Sequence, residues 1–153
     1  MNTLTIAELV ADRRADALHT LPASASVAEA VALMARHEIG AVLATTEDGL
    51  VGGLFSERDL LVRVVAAGRD PAATPLSLVM TRDLKFVTPA TPTEAALALM
   101  HLHRFRHLLV IDGARVHGLV SMRDLVVQIV TRGEGRYESA VREAALPQST
   151  KGA

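Results

Sequence analysis

Apolar residues alternate along this chain between a helical spacing and short continuous runs, and that order of elements is run through twice. Leu4, Ile6, Leu9 and Val10 suit a short amphipathic helix, with Thr5 and Glu8 spaced as a capping box. Leu18 to Leu21 reads as a short extended segment stopped by Pro22. Val27, Ala30, Val31 and Met34 fall at the i, i+3, i+4, i+7 spacing of one buried helix face. They predict a helix over 27–37, with Ser24 and Ser26 as candidate caps. Ile39 to Thr45 predicts a strand, Glu47-Asp48-Gly49 a hairpin turn, and Leu50 to Phe55 the returning strand. Ser56 then starts a helix carrying Leu60, Leu61, Val64 and Val65, which fades at Gly68.

Gly68 to Pro75 has the composition of a linker, and the plan then repeats. Leu76, Val79 and Met80 stand where Ile6, Leu9 and Val10 stood. Lys85 to Thr88 is the short strand, Thr93 to Leu102 the amphipathic helix with Ala96, Leu97 and Met100 inward. His107 to Ile111 is the next strand, Asp112-Gly113 the turn and Val116 to Val120 the return. Ser121 starts the helix of Leu125, Val126, Ile129 and Val130. The expected organisation is a first unit over 1–67 that includes the N-terminal helix at 3–11, a linker over 68–75 and a second unit over 76–131. A C-terminal helix near Tyr137 to Leu146 and a frayed tail then fill 132–153.

The register argues for true duplication. Met34 pairs with Met100 at an offset of 66, whereas Ser56 pairs with Ser121 and Asp59 with Asp124 at an offset of 65. The one-residue difference falls in the turn, where length changes are tolerated. Each unit is thus β-α-β-β-α and, at about 60 residues, too small to bury a good core alone. The fold class is α+β, two such repeats packed sheet to sheet about a pseudo-two-fold axis.

Composition narrows the chemistry. Half of the 153 residues are hydrophobic and only 3% are aromatic, so the core is aliphatic. A formal charge of −1 gives no footprint for nucleic acid or an anionic membrane. The absence of cysteine excludes disulfides, thiolate catalysis and cysteine-based zinc sites. Charged residues interrupt every apolar run before membrane-spanning length, and Met1 to Leu9 lacks a signal-peptide pattern, so a cytoplasmic protein is expected.

The most informative stretch is Gly118-Leu119-Val120-Ser121-Met122-Arg123-Asp124, with its twin Gly53-Leu54-Phe55-Ser56-Glu57-Arg58-Asp59. Either copy alone reads as a helix cap, because Ser-x-x-Asp satisfies the free N–H groups of a helix start reciprocally. Both copies together, each between an apolar strand and an apolar helix, make the chain resemble a tandem cystathionine β-synthase (CBS) domain pair, also called a Bateman module. Further residues carrying the resemblance are Ser26 to Val31 with Met34, Met80-Thr81-Arg82-Asp83, Thr93 to Ala96 with Met100, and Arg106 to Asp112. It covers about residues 3 to 131.

The resemblance implies a stand-alone sensor of adenosine-containing ligands, binding AMP, ADP or ATP, with or without Mg, in clefts between the units. NADH and S-adenosylmethionine are alternatives, and no tightly bound cofactor is implied. Asp59 and Asp124 match the family's ribose-binding Asp, and Ser56 and Ser121 its Ser/Thr. A carboxylate can accept both ribose hydroxyls at once. Thr20, Leu21, Val87 and Thr88 match the adenine-facing strands. Arg106 and His107 match positions where basic residues meet phosphates, and Arg58 and Arg123 precede each Asp. Because Gly40 and Ala41 replace Arg106 and His107 in the first unit, one cleft is expected to use Arg106 and His107 for phosphorylated ligands, while the other relies on Asp59 with fewer cations. The resemblance also implies a homodimer through the apolar helices and an effector protein in trans. The competing expectation is a constitutive assembly module with non-functional clefts.

Catalysis finds no support. Phosphate-binding Gly-x-x-x-x-Gly-Lys-Ser/Thr and Gly-x-Gly-x-x-Gly motifs are absent, as is Gly-x-Ser-x-Gly. Ser121, Asp124 and His107 are triad residue types, yet Ser121 and Asp124 share one helix start, which suits capping. His101 and His103, two residues apart, do not share a helix face and so make no metal site by themselves.

Overall fold

The computed structural model describes residues 4–11 and 18–132. The expected helix near Tyr137 and the charged turn around Arg13 lie outside the described residues. Each unit is a three-stranded sheet with the same pairing. In the first, β1 (Thr20–Pro22) runs parallel to β2 (Ala41–Thr45), which pairs antiparallel with β3 (Val51–Ser56). In the second, β4 (Phe86–Val87), β5 (His107–Asp112) and β6 (Arg115–Ser121) repeat that order. The duplication extends to the register: Ala41 faces Ser56 as His107 faces Ser121, and the register slips after Ala44 as it does after Val110.

Helices cover the sheets. They are α1 (Ile6–Ala11), α2 (Val27–His37), α3 (Glu57–Asp59), α4 (Leu76–Val79), α5 (Thr93–His103) and α6 (Met122–Thr131). Among the described residues no helix is long and apolar enough to cross a membrane. The bounds of α2 are those that periodicity predicts, and Ser26 caps it with Glu29 closing the box. Its Val27, Ala30 and Met34 are buried, as are Ala96 and Met100 of α5. Two aliphatic cores result. One gathers Val42, Phe55 and Val64, the other Leu108, Val110 and Leu125.

Two features depart from expectation. The helix after Ser56 is α-helical only through Asp59 and continues as a π-helix over Leu60–Val65. Bonds such as Ala66 N–H to Leu61 C=O span five residues and slow the angular advance along the helix. The α spacing therefore fails to predict the buried face: Val64 is buried, but Leu61 and Val65 are 63% and 61% exposed.

The second departure concerns the short helices that precede each sheet. The sequence order assigns α1 to the first unit and α4 to the second. Instead Leu76, Val79 and Met80 pack into the first core, and Ile6 packs into the second. The reason is local hydrogen bonding. The first turn of α2 has N–H groups without helical partners, and those of Val27 and Ala28 donate to Thr74 and Pro71 in the linker. Leu76 and Ser77 then donate to Ala25 and Ala23, which fixes α4 on the first sheet. Reciprocally, Ile6 and Ala7 donate to Thr91 and Pro89, and Thr93 donates to Leu4. Each unit thus completes its core with the other's leading helix.

Candidate functional site

Both Ser-x-x-Asp copies form capping boxes. Ser56 N–H and its hydroxyl donate to Asp59 Oδ2 at 2.9 and 3.1 Å, and Asp59 N–H donates to Ser56 Oγ at 3.4 Å. Ser121 N–H donates to Asp124 Oδ2 at 2.7 Å, and Asp124 N–H donates back at 3.2 Å. Asp59 is 6% exposed. Its Oδ1 also accepts from the Thr81 hydroxyl at 3.1 Å and lies 3.5 Å from Arg63 Nε. A carboxylate offers about four acceptor directions; three donors engage them, and the Arg63 guanidinium stands beside Oδ1 as an ion pair. Arg63 meanwhile donates to the carbonyls of Val79 and Met80, tying the π-helix to the end of α4.

A cavity of about 420 Å³ opens at Asp59, and one of about 440 Å³ opens at Asp124. Both fall in the range of small-molecule pockets. Their construction follows one rule. Each takes its Ser-x-x-Asp helix start from one unit and the helix-to-strand connection from the other. The Asp59 cleft joins residues 56–59 to the connection Arg104 to His107. The Asp124 cleft joins Ser121, Arg123 and Asp124 to the connection Glu38 to Ala41. Equivalent backbone bonds dock each connection on its own unit's helix: Glu57 N–H to Gly40 C=O and Met122 N–H to Arg106 C=O. A wider cavity of about 860 Å³ lies between the clefts and shares Gly40 and His107 with both.

That rule corrects one sequence expectation. Arg106 lines the Asp59 cleft, not the opposite one, and His107 lines both. Reading along the chain keeps these residues with the Asp124 of their own unit; packing across the units hands Arg106 to the other. Of the remaining candidates, Ser56, Arg58 and Asp59 meet in one cleft and Ser121, Arg123 and Asp124 in the other. Thr20 and Thr88 are exposed and line neither. Thr20 sits opposite Leu43 on β1, and Thr88 N–H donates to Thr91 Oγ1 in the turn after β4. At the head of β1 it is Leu18 and His19 that reach the Asp124 cleft. Arg63, Thr81, Arg104, Glu38 and His19 are lining residues the sequence reading missed. The offset of 66 that pairs Met34 with Met100 also pairs Glu38 with Arg104, and was the available signal for those two.

Two histidines in the clefts resist protonation. Burial lowers the His107 pKa, and Arg106 lowers it further, against the opposing pull of Asp124, Glu57 and Asp59. Burial lowers that of His19 as well, with a smaller contribution from His37, whose ring centroid is 4.1 Å away.

Comparison with known proteins agrees with this architecture. The CBS domain family matches twice, over residues 10–66 and 76–131. The CBS domain-containing protein YhcV of Bacillus subtilis is 34% identical over 118 residues, covering 77% of this chain and 83% of that protein. The match to CBSCBSPB3 of Arabidopsis thaliana, 32% identical over 87% of this chain, spans only 23% of that longer protein. Among solved structures, a protein with CBS domains from Burkholderia ambifaria superimposes with a TM-score of 0.81 at 32% identity, covering 86% of this chain and 97% of that one. A CBS domain protein from Pyrobaculum aerophilum, PAE2072, solved in complex with AMP, shares the fold at a TM-score of 0.70 and 24% identity, over 84% of this chain and 99% of that one. Two family matches, two units of one pairing pattern and two Ser-x-x-Asp clefts between them lead to one conclusion: the chain belongs to the CBS-domain family and carries two such domains in tandem.

Proposed function

We propose that the protein is a regulatory module that binds an adenine nucleotide reversibly in the clefts between its two units and signals occupancy to a partner in trans. The observation that carries this reading is the shared construction of the clefts, each placing a carboxylate from one unit opposite the helix-to-strand connection of the other. A ligand held there touches both units, so its differential affinity for two arrangements biases their relative angle. The AMP complex of the Pyrobaculum protein supports the choice of ligand class. A ribose approaching Asp59 competes with Thr81 and Arg63 for Oδ1. Arg63 also holds Val79 and Met80, so that competition is a route from the cleft to α4.

A thermal-shift series with AMP, ADP, ATP, NADH and S-adenosylmethionine, and a guanine nucleotide as control, tests the reading. Ligand at a hundred times its dissociation constant adds about 2.7 kcal/mol, which raises the midpoint by roughly 5–10 °C in a chain of this size. A shift with an adenine compound and none with the guanine control is expected. The exposed Leu61, Val65 and Leu102 favour the second reading, a self-assembly module. No shift across the panel at millimolar ligand, with a stable dimer in solution, would replace the first reading by the second.

A further inference from the structure

The carboxylate in the Asp59 cleft is already engaged by the protein itself. Its Oδ2 serves the capping box, accepting from the Ser56 N–H and hydroxyl. A helix start needs those contacts and nothing from Oδ1. Yet Oδ1 accepts from the Thr81 hydroxyl at 3.1 Å and pairs with Arg63 Nε at 3.5 Å. Asp59, Arg63 and Thr81 all line the same cavity, so these contacts lie in its wall and not behind it. An alcohol on a part-buried side chain is thus bonded to the carboxylate oxygen that a ligand hydroxyl needs.

The partners of Asp59 also anchor the segment that joins the two units. Arg63 donates to the carbonyls of Val79 and Met80 at 3.2 and 2.9 Å. Thr81 exchanges two backbone bonds, of 2.8 and 2.9 Å, with Leu54 of β3, another residue of the cleft wall. Residues 79–81 lead from α4, packed in the first core, toward β4 of the second sheet. All three are therefore tied to the Asp59 cleft. Arg63 itself lies in the π-helical stretch Leu60–Val65, a geometry that recurs at functional sites. The offset of 65 that pairs Asp59 with Asp124 puts Gln128 at the place of Arg63, and the offset of 70 that pairs Ile6 with Leu76 puts Ala11 at the place of Thr81. Gln128 Oε1 accepts from the hydroxyl of the buried Thr93 instead. The same latch cannot form in the second unit.

We infer that Thr81 sets the affinity of the Asp59 cleft: its hydroxyl stands in for a ligand hydroxyl on Oδ1, and a ligand binds by displacing it and loosening residues 79–81. The inference rests on the nucleotide-binding reading above and adds the residue that regulates one of the clefts. A ligand alcohol that takes Oδ1 from Thr81 exchanges one hydrogen bond for another, so it gains less than an unengaged carboxylate would give. The apparent affinity is the intrinsic one reduced by the fraction of molecules in which Thr81 has let go. A hydrogen bond to a charged acceptor leaves that fraction at about one in ten or less. Displacement acts on the neighbouring Leu54 bridge and on the Arg63 contacts with Val79 and Met80. Occupancy of the cleft is therefore felt at the connection between the units.

The test is NMR titration of the whole chain with adenosine and with AMP, reading each cleft by its own amides: Arg58 and Arg104 at Asp59, Arg123 at Asp124. Adenosine carries no phosphate, so it reports the hydroxyl exchange without a phosphate contact to the arginines. Thr81→Val removes the competing hydroxyl and keeps the backbone bridge to Leu54. It is expected to tighten binding read at Arg58 and Arg104 about tenfold and to change that read at Arg123 by about twofold or less. Thr81→Ala, which lacks the hydroxyl without a branched side chain, gives the same tightening. Thr81→Ser restores the hydroxyl and with it the wild-type affinity, which a packing effect would not do. In wild type, hydrogen exchange of the Met80 and Thr81 amides quickens as the cleft fills. Unchanged or weaker binding at Arg58 and Arg104 in Thr81→Val and Thr81→Ala overturns the inference and leaves the nucleotide reading intact, as does exchange at Met80 and Thr81 that slows on binding. No shift at either cleft, with either ligand, in wild type or variants removes the nucleotide reading and the inference with it.

Discussion

Asp59→Ala is expected to cost stability before it costs ligand, because this carboxylate fastens the first unit to the segment that leads into the second. Removing it deletes the carboxylate half of the capping box, the bonds from the Ser56 N–H and hydroxyl to Oδ2, worth about 1 kcal/mol, while the backbone N–H of residue 59 still donates to Ser56 Oγ. It also strips the Thr81 hydroxyl of its charged acceptor in a part-buried place, which costs about 1.5 kcal/mol. The contact with Arg63, whose side chain is half exposed, contributes no more than about 0.5 kcal/mol. Together these give about 3 kcal/mol, or a fall in midpoint of roughly 6–12 °C for a chain of this length. Urea denaturation measures the free energy directly, with the slope checked for two-state behaviour. A double-mutant cycle with Thr81→Val isolates the side-chain pair, and a coupling of about 1 kcal/mol or more is expected. Thr81 is also joined to Leu54 by two backbone bonds of 2.8 and 2.9 Å, so Thr81→Val leaves the strand bridge in place. A loss below about 1 kcal/mol for Asp59→Ala, or no coupling with Thr81, would refute the claim that Asp59 is structural as well as ligand-facing.

Two other predictions follow from the packing and the titratable groups. Gly53→Ala forces a Cβ to 2.5 Å from Met80 Sδ and 3.1 Å from Thr81 C=O, so overpacking of about 1–3 kcal/mol is expected in a denaturation experiment. At the equivalent Gly118 the nearest atom is 3.9 Å away, and Gly118→Ala should change stability by less than about 0.5 kcal/mol. Acidification should destabilise the free protein through His107 and His19. Both have pKa values lowered by burial, so the unfolded chain takes up protons first. Their contribution is complete above the unfolded value near 6.5 and is lost as pH falls below it. Melting curves from pH 7.5 to 5.5 should show a decline that His107→Gln flattens, whereas an equal decline in that variant would assign the effect elsewhere.

The repeat was legible because burial writes a period into sequence. Val27, Ala30 and Met34 on α2, and Ala96 and Met100 on α5, must each face a core, and one unit's pattern reappears at offsets of 65 and 66 in the other. The helix caps were legible because Ser and Asp three residues apart satisfy backbone groups locally. From these the tandem CBS architecture could be read with no contact known in advance. What the pattern does not encode is which unit receives a given surface. Ile6 and Leu76 are apolar in either packing, and it is the backbone bonds from α2 to the linker and from α4 to Ala23 and Ala25 that place α4 in the first core, as those of Ile6, Ala7 and Thr93 place α1 in the second. The face of the helix at Leu61 and Val65 escaped the periodic argument because a five-residue hydrogen-bond spacing replaces the usual four. Order along the chain groups Arg106 with the wrong carboxylate for the same kind of reason. Its chemistry is local, but its neighbour belongs to the other unit, and proximity across two units is a property of tertiary packing alone. The sequence by itself therefore determined the units, their caps and the chemical types available to a site. The tertiary structure decided how those types are divided between two clefts, because charge acts through distance in space and not along the chain.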